Sequence, residues 1–460
     1  MSIVLIPFWA IQKAVDRNHG YWLTVAAPLI TATTGVVVYR IGVTLGWHRV
    51  SSVIAALSFG LLTMAPAYTI ELYNEPAVAL SLVIALLGLL RMEAGRKSGP
   101  WLLGVSVAVA CLFRYESFLL VVPIIAAVPL FVRRDRLRRH WRRWLSPILA
   151  PTTLAVAWTL WYNAYRDGDP FGFTPGGPFS THLLDGLQRQ LLSTGKGFFW
   201  YNPILVAAIP GTYLLWRRKR GVAVIIVALF LARALYFARY WNPDGSVAWG
   251  PRYLMPMCPL LALGVGEVVE RTKTMARRLR VRIRLGLGAL ALAGALVTLS
   301  SLWVPYTYSW AFVSYVPHKG QMTVAQVKAI QRHQASRQNN QWRWSPILLN
   351  LKHLSGPSFC CSARFPLRWW RGGPSAVGTT SLLVALAGLL SATAAAAAAD
   401  DNDQRKGRLT AKSTSSRGLS ALQAPTPRQR AYEAQSARPS VANPGLPGGP
   451  VEPVAGPPTT

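Results

Sequence analysis

Acidic residues are scarce in this sequence, in which 460 residues include 17 aspartates and glutamates against 49 lysines and arginines. Charged residues of all kinds make up only 14% of the chain, while hydrophobic residues make up 52% and the mean hydropathy is +0.27. So low a charged fraction excludes an ordinary soluble protein and places the chain among polytopic membrane proteins.

The net charge of +32 would also suit a protein that binds nucleic acid. The arginines, however, are concentrated in short stretches that flank apolar runs. This arrangement favours control of membrane orientation and contact with anionic lipids, so we predict no nucleic-acid partner.

Cysteine is also rare, with four residues in the chain. Cys111 and Cys258 lie in apolar runs and are predicted to pack as small hydrophobic residues. Cys360 and Cys361 are adjacent, and no CxxC spacing is present, so the sequence indicates no cysteine metal site. The first residues lack a basic region and a small-residue cleavage site, which argues against a cleavable signal peptide.

The densest cationic stretch is Arg133–Trp144, which holds seven arginines and one aspartate between two apolar runs. Such a block is retained on the cytoplasmic side of a membrane. Arg217–Arg220 and Arg271–Arg284 are similar, and every second loop is basic, as one orientation requires. We therefore predict an all-α polytopic protein of the cell membrane, with about nine to ten transmembrane helices.

The composition divides the chain into three parts. Residues 1–304 are predicted to form the transmembrane domain, and residues 305–358 an extracytoplasmic segment rich in polar and aromatic residues. Residues 359–460 form a low-complexity tail that we predict to be mostly disordered, with a weak span at 382–399. The abrupt change of composition near Phe359 resembles a frameshifted or unselected terminus.

The predicted orientation brings four segments to the outer face: Glu71–Glu75, Arg114–Glu116, residues 163–197 and Arg239–Arg252. They hold most acidic residues of the membrane domain, namely Glu71, Glu75, Glu116, Asp167, Asp169, Asp185 and Asp244. Charged residues at helix ends that face a cavity are candidates for function, whereas solvated loop charges are the alternative.

Three charged residues invite specific interpretations. Glu75 precedes Pro76 at a helix start, so it either caps the helix or binds a sugar hydroxyl or a cation. Arg114 either pairs with Glu116 or holds a phosphate. Arg252 enters a span and needs an anionic partner, for which Asp244, Glu75 and a substrate phosphate are candidates.

The long outer loop contains further candidates. Asp169 lies in a stretch of Gly, Asp and Pro that predicts turns. His182–Thr194 has leucines on one helical face and is predicted to lie on the membrane surface. Lys196 stands between two glycines, which predicts either an ordinary turn or an anion site for a lipid-linked phosphate. The glycine spacing of a nucleotide-binding loop is absent.

Five short motifs stand at the outer ends of the predicted spans, namely Asn74-Glu75-Pro76, Arg114-Tyr115-Glu116, Asp169-Pro170-Phe171-Gly172, Gly195–Pro203 and Trp249–Leu254. Together they resemble motifs of the GT-C glycosyltransferase superfamily, in the neighbourhood of actinobacterial protein mannosyltransferases and arabinosyltransferases. The resemblance covers about residues 1–305. It implies inverting transfer of a sugar from a polyprenyl-phosphate donor to an extracytoplasmic glycan or protein acceptor.

The resemblance also implies roles for residues. An acidic group would accept the proton of the acceptor hydroxyl, and cationic groups would stabilise the departing lipid phosphate. Glu75 and Glu116 are the candidates for catalysis, while Arg114, Asp169, His182, Lys196 and Arg252 are the candidates for substrate binding. The sequence predicts no metal-binding residues. A divalent cation is nevertheless an open alternative as a cofactor.

The sequence departs from the family in one respect. Such enzymes open with a span and an outer loop that carries the catalytic aspartate, whereas Asp16, the only early aspartate here, lies in a context that does not match. We therefore expect either a start further upstream or an inactive copy. The alternative function is a transporter of lipid-linked glycans or a non-catalytic membrane scaffold. A transporter needs polar residues near the midplane of the membrane, and the predicted spans contain few of them. Arg233 is the main exception, so the sequence favours the enzyme over the transporter.

Overall fold

The computed structural model describes residues 2–15, 21–69, 73–172, 179–245, 248–303, 341–342 and 345–354. The predicted tail, the weak span at 382–399 and most of the segment 305–358 lie outside these residues, as do Asp16, Glu71, Cys360 and Cys361. The described α-helices in chain order are α1 Ser2–Val15, α2 Tyr21–Thr44, α3 Arg49–Leu62, α4 Glu75–Glu93, α5 Ser98–Phe113, α6 Phe118–Phe131, α7 Arg134–Asp167, α8 Leu183–Leu191, α9 Phe198–Tyr201, α10 Ala208–Arg218, α11 Arg220–Ala238, α12 Cys258–Thr272, α13 Arg277–Trp303 and α14 Pro346–Leu354.

Within the described ranges all regular structure is helical, which confirms the all-α prediction. Five helices are long and apolar enough to cross a membrane, namely Val25–Thr44, Glu75–Glu93, Arg220–Ala238, Arg252–Thr272 and Arg277–Leu302. Shorter apolar helices are Arg49–Leu62, Ser98–Phe113 and Tyr115–Phe131. The larger count of nine to ten spans stays a prediction.

Two of the arginine-rich stretches are helical, although the sequence suggested loops. Arg134–Arg143 forms the first turns of α7, and Arg277–Arg284 forms the first turns of α13. The prediction of loops was wrong because arginine is a good helix former, so a basic block can extend an apolar helix beyond the hydrocarbon layer.

Three spans that the sequence predicts, at residues 52–70, 198–216 and 253–269, are not α-helical throughout. The apolar runs change into 3-10 turns at Ala65–Thr69, Pro203–Ala207 and Arg252–Met257, each of which contains a proline that removes a backbone donor. Asn202, which is fully buried, joins two breaks because its Oδ1 accepts a hydrogen bond of 2.9 Å from the backbone N–H of Met64. Broken helices are tolerated at membrane depth when neighbouring groups satisfy the backbone in this way.

Close helix packing depends on small residues. A Cβ atom added to Gly211 in α10 would lie 2.0 Å from the carbonyl oxygen of Gly264 in α12. A Cβ atom added to Gly104 in α5 would lie 2.1 Å from the carbonyl oxygen of Pro147 in α7. Such contacts let backbones approach closely, as is typical of membrane helices.

Candidate functional site

Charged residues from four elements meet at one end of the helices. We call them the Glu75 cluster: Glu75 begins α4, Arg114 and Glu116 lie between α5 and α6, Arg252 begins the turn before α12, and Arg233 belongs to α11. Glu93 and Thr272 mark the other ends of α4 and α12. The cluster therefore lies at the end that sequence analysis assigns to the outer face.

Glu75 is the centre of this network. Its side chain has no solvent exposure, and its Oε1 atom accepts hydrogen bonds from Arg114 and, at 2.5 Å, from Nε of Arg252. Arg114 also pairs with Glu116 through its Nε atom. Of the three partners that the sequence offered for Arg252, the structure shows Glu75, and it confirms the local pair of Arg114 with Glu116. The pKa of Arg114 is raised, because the attraction of both carboxylates outweighs the opposing effect of burial.

Local backbone geometry sets these positions. Pro76 occupies the first turn of α4, where backbone N–H groups have no acceptor within the helix. Proline, which lacks an N–H group, is therefore compatible with a helix that starts at Glu75. Gly245 has a φ of 85°, and a Cβ atom there would lie 2.6 Å from Cβ of Arg252. A glycine at this turn therefore allows the loop to approach Arg252 closely.

Arg233 belongs to this cluster rather than to the middle of the bundle. Its side chain is 1% exposed, and its Nε atom donates a hydrogen bond of 2.8 Å to the carbonyl oxygen of Tyr253. Among the described residues its Nη1 and Nη2 atoms have no hydrogen-bond partner. Glu116 and Glu75 both lie near enough to attract it electrostatically. Sequence analysis noted Arg233 but assigned it to the membrane midplane, because periodicity alone does not reveal its neighbours.

Lys196 forms a second buried charge next to the cluster. Its Nζ atom lies 3.9 Å from Oδ1 of Asp244, and burial lowers the pKa of Lys196, with a smaller lowering effect from Arg252, while Asp244 opposes the change. The backbone N–H groups of Lys196 and Gly197 donate to the hydroxyl and the carbonyl oxygen of Ser193. These amides are therefore occupied within an ordinary turn, and the ammonium group is what Lys196 offers to an anion.

Aromatic side chains cover the arginines. The guanidinium of Arg252 lies 4.3 Å from the ring centre of Tyr73, and that of Arg114 lies 5.3 Å from the ring centre of Tyr253. Tyr253 in turn stacks on Phe237 at 4.0 Å. Cation–π contacts of this kind stabilise arginine where water is limited. The sequence singles out Tyr253 only as part of the motif Trp249–Leu254, and it does not single out Tyr73 or Phe237, since their proximity depends on the fold.

Two predicted site residues are not part of the cluster. Asp169 is exposed, and its carboxylate accepts a hydrogen bond of 2.9 Å from the backbone N–H of Phe171, which stabilises a turn. His182 is exposed and precedes α8. In the described part of the chain, neither side chain forms a hydrogen bond or an ion pair with the cluster.

The helix α8 was predicted from the sequence, and it packs closely on the end of α11. A Cβ atom added to Gly186 would lie 1.9 Å from the carbonyl oxygen of Ala238.

A second buried carboxylate lies at the opposite end of α12. Glu267 is fully buried. Its Oε2 atom accepts hydrogen bonds from Nε1 of Trp47 at 2.7 Å and from Arg218 at 3.2 Å. Its Oε1 atom forms an ion pair with Arg271 at 3.2 Å. We call these residues the Glu267 cluster. Sequence analysis missed it because the arginines of this end dominate the pattern.

No group of three His, Cys, Asp or Glu side chains within the described residues is arranged to hold a metal ion. Neither the comparison with models of protein families nor that with curated proteins finds a match for this chain.

Proposed function

We propose that the chain is a multi-pass glycosyltransferase of the cell membrane, of the GT-C type, which transfers a sugar from a polyprenyl-phosphate donor to an extracytoplasmic glycan or protein. The observation that carries the proposal is that cations outnumber acids at this site among the described residues. Two buried and two partly buried cations face three described acids; the cations are Arg233, Lys196, Arg114 and Arg252, and the acids are Glu75, Glu116 and Asp244. A phosphate group would balance this excess and supply acceptors for the open N–H groups of Arg233.

The roles follow from the contacts. The acceptor hydroxyl attacks the anomeric carbon while the bond from that carbon to the donor phosphate oxygen breaks, and the electron pair leaves with the phosphate. Arg252, Arg233 and Lys196 would stabilise the negative charge on the leaving lipid phosphate. Glu75 already shares one oxygen between two guanidinium groups, so we assign it the role of positioning them. Glu116 pairs with a single arginine, and we assign it the role of proton acceptor.

A non-catalytic membrane scaffold is the second candidate. It is favoured by the mutual pairing of Glu75, Arg114, Glu116 and Arg252, which satisfies much of the charge internally. A transporter of lipid-linked glycans is less well supported, because Arg233 lies near one end of α11 and other charges of the five long apolar helices are also near their ends.

The test is sugar transfer by membranes that contain the protein. Radiolabelled mannose and arabinose are supplied as polyprenyl-phosphate donors, and incorporation into extractable glycan and protein is measured. Glu116→Gln should lower the rate by about 100-fold or more, as expected for loss of a general base. Arg252→Gln should lower it by a similar factor, as expected for loss of a group that stabilises the leaving charge.

Exposed residues of α8 provide matched controls. Asp185→Asn and Arg189→Gln change the same charges on the exposed surface, and transfer should continue at the wild-type rate. Equal incorporation by all variants would remove Glu116 and Arg252 from the site. Absence of transfer by the wild type from both donors, with the protein folded and present in the membrane, would favour the scaffold.

A further inference from the structure

A long apolar groove lies on the surface between α10 and α11, away from the Glu75 cluster. It encloses about 350 Å³, a volume within the range of small-molecule sites, and its lining includes Ile209, Thr212, Tyr213, Trp216, Val227 and Leu231. Several of these side chains are exposed, Ile209 to 61%. Because Val227 and Leu231 belong to a helix that can cross a membrane, this groove would face lipid chains rather than water.

A cationic cavity continues this groove at the end of α10. It encloses about 440 Å³ and is lined by Trp216, Arg217, Arg218 and Arg220. Trp216 lines both cavities, so the apolar groove and the cationic cavity are adjacent. Arg220 begins α11, which puts these guanidinium groups at the headgroup level when Val227 and Leu231 lie in the hydrocarbon layer.

The arginines of this cavity differ in their pairing. Arg218 pairs with Glu267 at 3.2 Å and also donates to the carbonyl oxygen of Leu45. Among the described residues, no acidic side chain pairs with Arg217 or Arg220. Arg217 donates to the hydroxyl of Tyr213 and lies over its ring at 5.0 Å, and Arg220 lies 5.0 Å from the ring centre of Trp216.

These contacts orient two guanidinium groups beside the entrance of an apolar groove. A phosphate between them would receive charge-assisted hydrogen bonds, for which arginine has suitable geometry. An inorganic phosphate would use only the cationic cavity and would leave the groove empty. An anionic lipid would use both, because its headgroup and its chain match the two lining chemistries.

We propose that α10 and α11 form a binding site for one anionic phospholipid, with its phosphate at Arg217 and Arg220 and one acyl chain in the groove from Trp216 toward Val227 and Leu231. This site is separate from the Glu75 cluster and does not depend on the proposed sugar transfer. Its location also places the lipid beside Arg218, which connects it to the Glu267 cluster.

The test is native mass spectrometry of the full chain released from micelles that contain phosphatidylglycerol or phosphatidylcholine. The wild type should retain one phosphatidylglycerol and no phosphatidylcholine. The variant Arg217→Gln/Arg220→Gln should retain about tenfold less, since each basic residue near a membrane surface strengthens attraction to anionic lipid severalfold. Arg138→Gln/Arg139→Gln removes the same charge from exposed positions of α7 and should retain lipid like the wild type.

The variant Val227→Trp tests the groove, because the larger side chain would fill it. Its control is Val122→Trp, which enlarges an exposed side chain on α6. Val227→Trp should lose phosphatidylglycerol and Val122→Trp should keep it, while gel filtration and thermal unfolding confirm that all variants fold. Equal retention by the two double-arginine variants would overturn the proposal. Displacement of the lipid by millimolar inorganic phosphate, or normal retention by Val227→Trp, would overturn the assignment of the chain to the groove.

Discussion

The ion pairs of Glu75 should contribute strongly to stability. The Glu75 side chain has no solvent exposure and shares one oxygen between Arg114 and Arg252, whose side chains are 15% and 27% exposed. Glu75→Gln keeps the shape but removes the charge, so Arg114 would keep its pair with Glu116 while Arg252 would lose its ion pair with Glu75. Loss of one partner of a buried pair costs about 3–5 kcal/mol, and the partial exposure of the arginines favours the lower value, about 3 kcal/mol.

That energy should be visible as a change in thermal unfolding. A loss of about 3 kcal/mol corresponds to a Tm lower by roughly 3 °C for a chain of 460 residues. Apparent Tm values should be compared in one detergent and at one scan rate, because membrane proteins commonly unfold irreversibly. Asp185→Asn, which removes an exposed charge on α8, serves as the control and should leave the Tm within about 1 °C.

A double-mutant cycle isolates the pair itself. Combining Glu75→Gln with Arg252→Gln should lower the Tm less than the sum of the single changes, because each single variant leaves the other group without its partner. If Glu75→Gln behaved like Asp185→Asn, the carboxylate would not be held in a desolvated ion pair. Strict additivity in the cycle would likewise contradict a direct interaction between Glu75 and Arg252.

Three further changes test other parts of the structure. Gly211→Val should lower the Tm by about 3 °C because its Cβ atom would meet the backbone of α12, whereas Gly288→Val, in open space, should not; equal Tm values would contradict the close contact. Glu267→Gln should lower the Tm by roughly 3 °C, since its fully buried carboxylate binds Trp47 and two arginines, and an unchanged Tm would contradict this network. Asp244→Asn should lower the pKa of Lys196 further, because it removes the negative charge that opposes the effect of burial. Mass spectrometry should then detect reductive methylation of Lys196 at a lower pH than in the wild type. An identical pH profile of methylation would contradict the pairing of Lys196 with Asp244.

Sequence analysis succeeded where a short pattern contains the whole signal. Apolar runs predicted the long helices, and the leucines of His182–Thr194 predicted α8, which spans Leu183–Leu191. The pairing of Arg252 with Glu75 was predicted among three alternatives, because an arginine entering an apolar span requires an anion. These inferences need only composition, periodicity and the rule that buried charges have partners.

The remaining features depend on contacts between distant segments. A proline within an apolar run is compatible with a kink or with a full break, and the buried Asn202 side chain, which supplies an acceptor to Met64, helps to stabilise a break. The location of Arg233 similarly depends on how α11 packs against the turn that contains Tyr253. Glycine contacts between helices determine this packing, and one sequence does not reveal which glycines face each other.

The two buried glutamates show why burial alone does not identify the functional end. Both Glu75 and Glu267 have fully buried side chains next to arginines. In the Glu267 cluster both carboxylate oxygens have partners, as expected of a structural network. In the Glu75 cluster, Oε2 of Glu75 and two nitrogens of Arg233 have no hydrogen-bond partner among the described residues. Unsatisfied polar atoms are costly when buried, and a bound phosphate with its sugar would supply acceptors for Arg233 and a hydroxyl donor for Glu75. Since the Glu267 carboxylate is satisfied internally and the Glu75 cluster is not, we expect the substrate at the Glu75 cluster.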